Sequence, residues 1–274
     1  MKISIVTPSF NHAQFIGRTI DSVLSQRGDF ELEYVVLDGG STDGTLEILE
    51  SYGDRLQWSS ARDKGQVDAI NRGLRAASGD VVGWLNSDDV LLPGALARVA
   101  EAFRANPQAE WVHGRCQIID AHDNEVRRWI SVYKDYRCRR HTFQNFLTED
   151  YVSQMTTFWK RSLLDEVGYL DDSFRFAFDH DLFLRFAKRG PPVYIEDDLA
   201  CFRWYETSKS GEGYVVQMTE TAGLAQKYGG SAWTKARARA KRLAIINVYR
   251  LMGLARQTAA RFGVVSPRRG PASR

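Results

Sequence analysis

Two adjacent carboxylates, Asp88 and Asp89, follow a hydrophobic run in the stretch VVGWLNSDDVLLP at residues 81–93. Like charges one residue apart repel, so the pair needs a cation, hydrogen-bond donors or open water to stay ionised. A turn with two carboxylates at a strand end suits a hard divalent cation that keeps coordination positions for phosphate oxygens. The same residues could instead form an Asp-rich turn that caps the following helix.

Three other short polar segments also follow hydrophobic strands of the first half: Thr7 to Asn11, Asp38, and residues 63–66. Strands and helices alternate four times over the first hundred or so residues, and the strands are continuously hydrophobic. This pattern is typical of a parallel sheet covered by helices on both faces. Because ligands of such sheets bind at the carboxyl ends of the strands, we expect the four loops to form one site.

The side chains of these loops have structural and functional interpretations. Asp38 begins the turn GGSTDG, where a carboxylate is common, but it could also accept a hydrogen bond from a nucleotide base. Gly65 would let the backbone approach a ligand closely, next to the carboxylate of Asp63. Asp68 and Asn71 are three residues apart and share one helix face, either as part of a capped helix or as part of the site.

A further carboxylate, Asp179, lies in FDHDLFLRF at residues 178–186. The apolar residues of this segment form one face of a predicted helix, and Asp179 falls on its first turn, away from that face. A helix N-terminus stabilises a carboxylate as the anion, which is the structural interpretation. Once a substrate excludes water, the same group could act as a general base. We interpret the adjacent His180 as a surface or packing residue.

The regular alternation ends after residue 110. WVHGRCQIID and VRRWIS predict an antiparallel hairpin around AHDNE, and the later segments predict two strands and two helices. We expect these residues to form the floor and wall of a pocket within a domain that spans residues 1–210. Its two halves would be residues 1–109, which carry the four polar loops, and residues 110–210. Residues 211–274 would be a basic helical extension in which about the last ten residues are disordered.

The C-terminal segment differs from the rest of the chain in charge. Residues 221–274 contain 12 Lys and Arg and no acid, which leaves 25 basic and 34 acidic residues elsewhere. Residues 231–263 predict a long helix whose apolar middle is too short to span a bilayer but long enough to lie on one. Contact with an anionic membrane and packing on the domain are both open. Nucleic-acid binding is disfavoured, because no pattern of stacking aromatic residues accompanies the charge.

Cysteine usage and the N-terminus indicate the compartment. Cys116, Cys138 and Cys201 are scattered, which disfavours a disulfide framework and a thiolate zinc site and favours a reducing environment. The first apolar run is too short for a signal peptide. We therefore expect a cytoplasmic protein, at most peripheral on the inner face of the cell membrane.

The order and spacing of several motifs resemble the inverting family-two glycosyltransferases of the GT-A fold, over about residues 2–205. The resemblance implies an α/β fold with a Rossmann-like, mostly parallel central sheet flanked by helices, a smaller antiparallel acceptor-side region and C-terminal helices. It implies sugar transfer from a UDP- or dTDP-sugar to a hydroxyl of a glycan or lipid-linked acceptor, in polysaccharide, O-antigen or glycolipid synthesis. The matching motifs are SIVTPSFNHAQFIGRTIDSVLSQ, EYVVLDGGSTDGT, RDKGQVDAINRG, GDVVGWLNSDD, TTFWKRSLLDEVGYLDDSF and FDHDLFLRFAKRG.

The resemblance also implies a role for each candidate residue. Asp89 would bind a divalent metal, Mn²⁺ or Mg²⁺, and Asp88 would face the ribose or the metal. Asp179 matches the position of the catalytic base. The nucleotide-sugar contacts would come from Thr7, Pro8, Phe10, Asp38, Asp63, Gly65, Asn71, Asn86 and Asp88.

Three positions depart from the family's pattern. Asn86 stands where many relatives have an acid, Phe178 stands where the base is often preceded by Glu, and Tyr205 stands where relatives often have a metal- or diphosphate-holding histidine. Two other functions are less favoured, the nucleotidyltransferase least. A sugar-phosphate nucleotidyltransferase would be expected to carry a Gly-rich, basic loop where this chain has TPSFNHAQF, and a non-catalytic nucleotide-sugar-binding module would not need Asp179.

Overall fold

The computed structural model describes residues 1–205, 208–209 and 213–261, with the backbone alone for residues 214 and 248–261. Eight strands form one sheet in the order β3-β2-β1-β4-β7-β6-β8-β5. The strands β1 to β4 run parallel, β7 is antiparallel to β4 and β6, and β5 is antiparallel to β8. The bounds are Lys2–Ser9 (β1), Glu31–Asp38 (β2), Gln57–Ser60 (β3), Val81–Trp84 (β4), Val90–Leu91 (β5), Trp111–Ile119 (β6), Thr157–Lys160 (β7) and Val193–Arg203 (β8).

Helices cover both faces of the sheet because its strands are apolar on both sides. In β1, Ile3 and Ile5 belong to one buried cluster, whereas Val6 belongs to the other, as the two-residue side-chain period of a strand requires. The helices are Ile16–Leu24 (α1), Thr45–Ser51 (α2), Gln66–Ala76 (α3), Ala95–Ala105 (α4), Arg128–Cys138 (α5), Phe143–Phe146 (α6), Arg161–Val167 (α7), Phe178–Arg189 (α8), Tyr214–Lys227 (α9) and Ala232–Arg261 (α10).

The first half agrees with the alternation expected from the sequence. The four strands and their helices occur in the predicted order, and the mostly parallel sheet flanked by helices is confirmed. The second half joins the same sheet, since β6 pairs with β7 and with β8. The strand and helices predicted between residues 155 and 190 are also present, as β7, α7 and α8.

The predicted hairpin after residue 110 is wrong. VRRWIS does not return as a strand, and its residues from Arg128 onwards begin α5. β7 pairs only with Trp111 to His113 of β6, so strand pairing alone does not exclude the hairpin. The segment is instead held as a helix by contacts of Arg137 with Glu149 and of Lys134 with Ser153. A single antiparallel bridge between Ile119 and Glu125 is what the structure retains of the hairpin.

The two C-terminal helices pack on the body through their described residues. Leu224 and Ala225 of α9 and Ala238 of α10 belong to the same buried cluster as Trp159 and Phe183. Within the described residues, no helix has both the length and the apolar character needed to cross a bilayer. The prediction of disorder concerns the last residues of the chain, which lie outside the described part.

Candidate active site

The register of the parallel strands brings the predicted loops to one edge of the sheet. Ser9 at the end of β1 lies opposite Asp38 at the end of β2, and Asp38 lies opposite Ser60 at the end of β3. On the other side of β1, Val6 lies opposite Trp84, the last residue of β4. The polar loops after the four strands therefore meet, as the sequence predicts. We call this edge the donor rim, after the sugar donor that the resemblance leads us to expect there.

Hydrogen bonds fix the loop after β1 to its two neighbours. The Asn11 backbone N–H donates to Ser41 Oγ at 2.7 Å, and Asn11 Oδ1 accepts from the Thr42 N–H at 2.9 Å. Asn11 has a positive φ of 52°, which Asn tolerates better than most residues. His12 Nδ1 lies 2.5 Å from Ser87 Oγ in the loop after β4. The rim is therefore a connected structure.

The carboxylate of Asp38 organises the loop after β2. Its Oδ2 accepts from the N–H groups of Gly40 and Ser41, both at 2.9 Å, and from Ser60 Oγ at 2.6 Å. Its Oδ1 accepts from Ser41 Oγ at 2.5 Å. The side chain is buried at 2 % exposure. Asp38 thus has four donors from its own surroundings, and the predicted contact with a nucleotide base remains a prediction.

Asp63 lies against the same loop. A Cβ atom added at Gly39 would come within 2.9 Å of Asp63 Oδ2, so the glycine allows this close approach. Asp63 Oδ1 accepts from the Gly65 N–H at 2.8 Å. Gly65 has a φ of 112°, a conformation that favours glycine, and α3 begins at the next residue. Asp63 and Gly65 are therefore part of the donor rim.

The three candidates of the first loop differ in accessibility. Thr7 is fully buried, and its hydroxyl lies 3.1 Å from Tyr34 Oη in the core. Pro8 is also buried, whereas Phe10 is 59 % exposed. A ligand on the rim could meet the ring of Phe10, but it could meet Thr7 only through the backbone.

Asn71 has a structural task in this conformation. Its Nδ2 donates to the Leu170 carbonyl oxygen at 2.9 Å, and its Oδ1 accepts from the Leu170 N–H at 3.0 Å. Both ends of the side-chain amide are therefore used to hold the turn after α7. The structure does not bring this amide to the donor rim, because the fold places a distant backbone group against it.

Asn86 connects the loop after β4 with α3. Its Oδ1 accepts from Gln66 Nε2 at 2.9 Å, and its Nδ2 donates to Asp89 Oδ2 at 3.1 Å and Gln154 Oε1 at 3.2 Å. Gln154 in turn donates to the Trp84 carbonyl oxygen at 2.6 Å. Asn86 thus positions other groups. Sequence reasoning missed the role of Gln66, although it lies in the motif RDKGQVDAINRG, and that of Gln154, which lies in no motif.

The two adjacent carboxylates have different environments. Asp89 is fully buried, and its Oδ1 accepts from the Arg203 backbone N–H at 2.9 Å. Burial and then the neighbouring charge of Asp88 raise the pKa of Asp89 well above its usual range. Asp88 is half-buried, and its Oδ2 accepts from Tyr205 Oη at 3.1 Å. Asp89 therefore anchors the turn on β8, while Asp88 presents a carboxylate oxygen at the rim.

This turn has the donor chemistry of a divalent cation site. Carboxylate oxygens are the ligands that Mg²⁺ and Mn²⁺ prefer, and two of them here lie beside each other with like charge. Across the described residues, no group of three or more His, Cys, Asp or Glu side chains forms a complete metal cluster. Both oxygens of the buried Asp89 accept hydrogen bonds, from Arg203 and Asn86. Asp88 is therefore the one of the pair that can face a cation at the rim, and further ligands would have to come from a bound phosphate group.

The start of α8 presents Asp179. Glu220 of α9 accepts hydrogen bonds from the backbone N–H groups of residues 175–177 and so shapes the turn before the helix. Asp179 Oδ1 accepts from the His180 backbone N–H at 2.8 Å, the one donor it has within the described chain. Burial and then the charge of Asp150 raise the pKa of Asp179 to about 7. Such a carboxylate can exchange a proton near neutral pH.

Asp150 is a second acid that sequence reasoning missed. Its Oδ1 is buried without a hydrogen-bond partner in the described part of the chain, and burial raises its pKa to about 6. Lys134 of α5 lies close enough to lower the pKa of both Asp150 and Asp179. We call Asp150, Asp179 and Lys134 the acid patch. Motif analysis could not find it, because the three residues lie in separate segments.

Asp181, two residues after Asp179, is in contrast a carboxylate with several hydrogen-bond donors. It is fully buried, and it accepts hydrogen bonds from Arg185 Nε, Lys227 Nζ and Tyr228 Oη. These donors satisfy a carboxylate that stabilises the packing of α9 on α8. The same helix thus carries one carboxylate committed to structure and one available to a ligand.

Lys209 connects the donor rim with the acid patch. Its Nζ donates to Gln66 Oε1 at 2.8 Å and lies 5.0 Å from the centroid of the Phe178 ring, next to Asp179. His180 is a packing residue, fully buried with Nε2 2.8 Å from the Phe146 carbonyl oxygen. The site is therefore continuous from the loops after β1–β4 to the start of α8.

The chain matches the model of the family Glycosyl transferase family 2 over residues 4–168. It is 31% identical over 198 residues to an uncharacterized glycosyltransferase of Mycobacterium tuberculosis, covering 70% of this chain and 71% of that protein. It is 29% identical over 196 residues to a chondroitin synthase of Escherichia coli, covering 70% of this chain and 27% of that protein. The chain also spans 40% of an uncharacterized glycosyltransferase of Nostoc.

Two solved structures have a similar fold. S. aureus TarS 1–349 in complex with UDP-GlcNAc has a TM-score of 0.63 and 21% identity, covering 89% of this chain and 72% of that one. The mannosyltransferase PcManGT from Pyrobaculum calidifontis, in complex with GDP-Man and Mn²⁺, has a TM-score of 0.59 and 18% identity, covering 94% of this chain and 80% of that one. At these identities the likeness concerns the fold.

Proposed function

Because this chain belongs to glycosyl transferase family 2 and is a glycosyltransferase of the GT-A fold, we propose that it is a metal-dependent, inverting enzyme. It moves a sugar from a nucleotide diphosphate to an acceptor hydroxyl. The donor is a UDP- or dTDP-sugar, and the similarity to a structure with bound UDP-GlcNAc supports UDP as the first nucleotide to test. The acceptor is a glycan or a lipid-linked saccharide.

The environment of the Asp179 carboxylate, which raises its pKa, is the observation that supports this proposal. An acceptor hydroxyl has a very high pKa, so its proton must leave as the new bond forms. Asp179 has one backbone donor and a pKa near 7, and so it can accept that proton near neutral pH. Direct displacement with inversion needs one base and no second carboxylate as nucleophile. Asp179 is therefore the base.

The donor rim would bind the nucleotide end and the diphosphate. A divalent metal would be held by Asp88, supported by Asp89, and would neutralise charge on the leaving diphosphate. Lys209 adds a positive charge between the rim and the base, where it can attract phosphate oxygens. Phe10 and the backbone of the loops around Asp38 and Asp63 would hold the nucleoside.

The decisive test compares Asp179→Asn with Asp172→Asn, an exposed carboxylate seven residues earlier. Transfer rates with UDP- and dTDP-sugars should fall by about 10²–10⁴-fold in Asp179→Asn and stay unchanged in the control. Nucleotide binding, measured as a thermal shift, should be retained in both variants. Equal turnover in wild type and Asp179→Asn would contradict the assignment. Donor-dependent shifts without transfer to any acceptor would favour a non-catalytic binding module.

The metal is tested by thermal shifts with UDP, with and without Mn²⁺. We expect the metal to increase the shift in wild type and to have a much smaller effect in Asp88→Asn. A shift that is independent of metal would contradict this role of the turn. This measurement needs no knowledge of the acceptor.

The cellular setting is part of the same proposal. We place the enzyme in the cytoplasm, in synthesis of a polysaccharide, O-antigen or glycolipid. Its basic segment, residues 221–274, is a candidate for contact with an anionic membrane, although the start of α10 packs on the body. That packing leaves the outer side of the helix exposed at Trp233 and Leu243.

A further inference from the structure

The helix α5 exposes an apolar face to solvent. Trp129, Val132, Tyr133 and Tyr136 are 64%, 61%, 44% and 49% exposed. They are spaced at i, i+3, i+4 and i+7, so they lie on one side of the helix. We call them the aromatic face. Four large apolar side chains in one exposed row are unusual for a surface helix, whose apolar stripe normally packs on the core.

The inner side of α5 is polar, which is the reverse of the usual arrangement. Arg137 is buried and lies 3.3 Å from Glu149, and Lys134 donates to Ser153 Oγ at 3.4 Å. Lys134 also belongs to the acid patch. Lys134 and Arg137 therefore lie on the side of the helix that faces the body, while the aromatic rings lie on its exposed side. Packing within the monomer does not explain this orientation.

The surroundings of the aromatic face are strongly basic. Residues 127–140 contain six Lys and Arg and one acid, Asp135. Asp135 is paired with Arg139 at 3.0 Å, while the Arg128 side chain is 81% exposed. The Arg140 guanidinium lies 4.0 Å from the centroid of the Tyr136 ring at the end of the row. Cations therefore flank the apolar side chains.

The basic helix α10 meets α5 beside this face. Glu149 accepts a hydrogen bond from Tyr133 Oη at 2.7 Å and another from Lys241 Nζ of α10. The charge of Glu149 is thus neutralised by Arg137 of α5 and Lys241 of α10. Since residues 221–274 contain no acid, the positive charge of α5 is extended by that of α10. This charge is complementary to an anionic surface.

We propose that the aromatic face docks the protein on an anionic lipid bilayer. Trp and Tyr are the side chains enriched at the membrane–water interface, Val132 gains by leaving water, and the flanking arginines are attracted to anionic headgroups. Val132 distinguishes this partner from a glycan, because an aliphatic side chain has no ring on which a sugar can stack. Docking through α5 would leave this helix between the membrane and the acid patch, since Lys134 lies on its body-facing side. If the proposed function is correct, the acceptor is then lipid-linked.

Sedimentation with vesicles tests the docking. The full-length chain is mixed with vesicles of phosphatidylcholine alone or of phosphatidylcholine with phosphatidylglycerol, without donor or metal. Wild type should bind the anionic vesicles, and binding should weaken as salt is raised. The triple variant Trp129→Ser/Val132→Ser/Tyr136→Ser should lose about tenfold or more in affinity. Its melting temperature should match that of wild type, because all three side chains are exposed.

The matched control is Val215→Ser/Val216→Ser, two exposed apolar residues of α9. It should bind anionic vesicles like wild type. Equal binding by wild type and the triple variant would overturn the proposal, and so would absence of binding by wild type. Self-association of wild type that the triple variant abolishes, without vesicle binding, would also overturn it. An inactive protein that still binds vesicles would contradict the proposed function alone.

Discussion

The donor rim and the acid patch treat their carboxylates in opposite ways. On the rim, Asp38 accepts four hydrogen bonds and Asp89 accepts two, all from the protein itself. In the acid patch, Asp179 has one backbone donor within the described chain, and Asp150 has a buried oxygen without a partner there. Burial raises the pKa values of Asp179 and Asp150, and it also raises that of the fully buried Asp89, so the two regions differ in hydrogen bonding rather than in burial.

This difference in hydrogen bonding indicates different roles for the carboxylates of the two regions. A satisfied carboxylate stabilises a loop in one shape, which suits the binding of a ligand without reorganisation. An under-partnered carboxylate costs stability when it is ionised, but it can take up a proton when one is delivered. The rim is therefore preorganised by hydrogen bonds, while the acid patch, under the proposed function, contains the group that takes up the proton of the acceptor hydroxyl.

Asp38→Ala should show the largest effect on stability. It leaves two backbone N–H groups and two hydroxyls without their buried acceptor, so we expect a loss of about 3 kcal/mol in the free energy of unfolding. Urea unfolding with an unchanged m-value would measure it. Asp63→Ala, which removes one hydrogen bond from a less buried position, should cost about 1 kcal/mol. Equal losses in the free energy of unfolding for Asp38→Ala and Asp63→Ala would show that the number of hydrogen bonds to a rim carboxylate does not determine its contribution to stability.

Asp179→Asn should instead increase stability, and the gain should depend on pH. A raised pKa means that the folded state binds the proton more tightly, so stability is lost as pH rises towards about 7. Removing the charge should raise the melting temperature at pH 8 by more than at pH 5. Thermal unfolding at both pH values measures this. A lower melting temperature at pH 8 would show that the carboxylate is a structural group.

Asp150→Asn should shift the pH dependence of turnover. The charge of Asp150 raises the pKa of Asp179, so its removal should lower that pKa and move the acidic limb of the rate profile to lower pH. Asp172→Asn serves as the control, because it removes an exposed carboxylate near the same helix. If the acidic limb of the rate profile does not move, Asp150 does not influence the pKa of Asp179. The acid patch would then contain one functional carboxylate, Asp179.

Tyr205→Phe should have the smallest effect. It removes the hydroxyl that donates to Asp88, while the ring keeps its contact with Phe15, whose centroid lies 5.2 Å away. Because Asp88 is half-buried and can accept from water instead, the free energy of unfolding should fall by about 1 kcal/mol or less. Urea unfolding beside Asp38→Ala checks this. A cost equal to that of Asp38→Ala would show that the rim depends on Tyr205 as much as on its internal carboxylate.

Local patterns predicted most of the elements that position the site. The hydrophobic runs around Ile5, Val36 and Val82 correspond to adjacent parallel strands, and Asp179 lies on the first turn of α8 as expected. The failure at Arg128 has a non-local cause. Its segment has the composition of a strand, but Lys134 and Arg137 of α5 contact Ser153 and Glu149, which folding brings against the helix.

Local patterns also could not predict the hydrogen-bond partners of individual site residues. Asn71 shares a helix face with Asp68 as predicted, yet its amide is bound by Leu170, 99 residues away. Gln154 and Asp150 contribute to the site from segments with no recognisable motif. Spacing along the chain can show which face a side chain occupies, but it cannot show which distant group satisfies it.

The sequence by itself determined the family, the alternation of strands and helices, and the convergence of polar loops, because these follow from local periodicity and from the order of motifs. Only the tertiary structure decided which carboxylates are satisfied. Asp89 is anchored by the backbone of Arg203, 114 residues later, while Asp179 has, among the described residues, a single donor from its own helix. Hydrogen bonding and burial set the pKa of a carboxylate, and both depend on groups that folding brings together from distant parts of the chain.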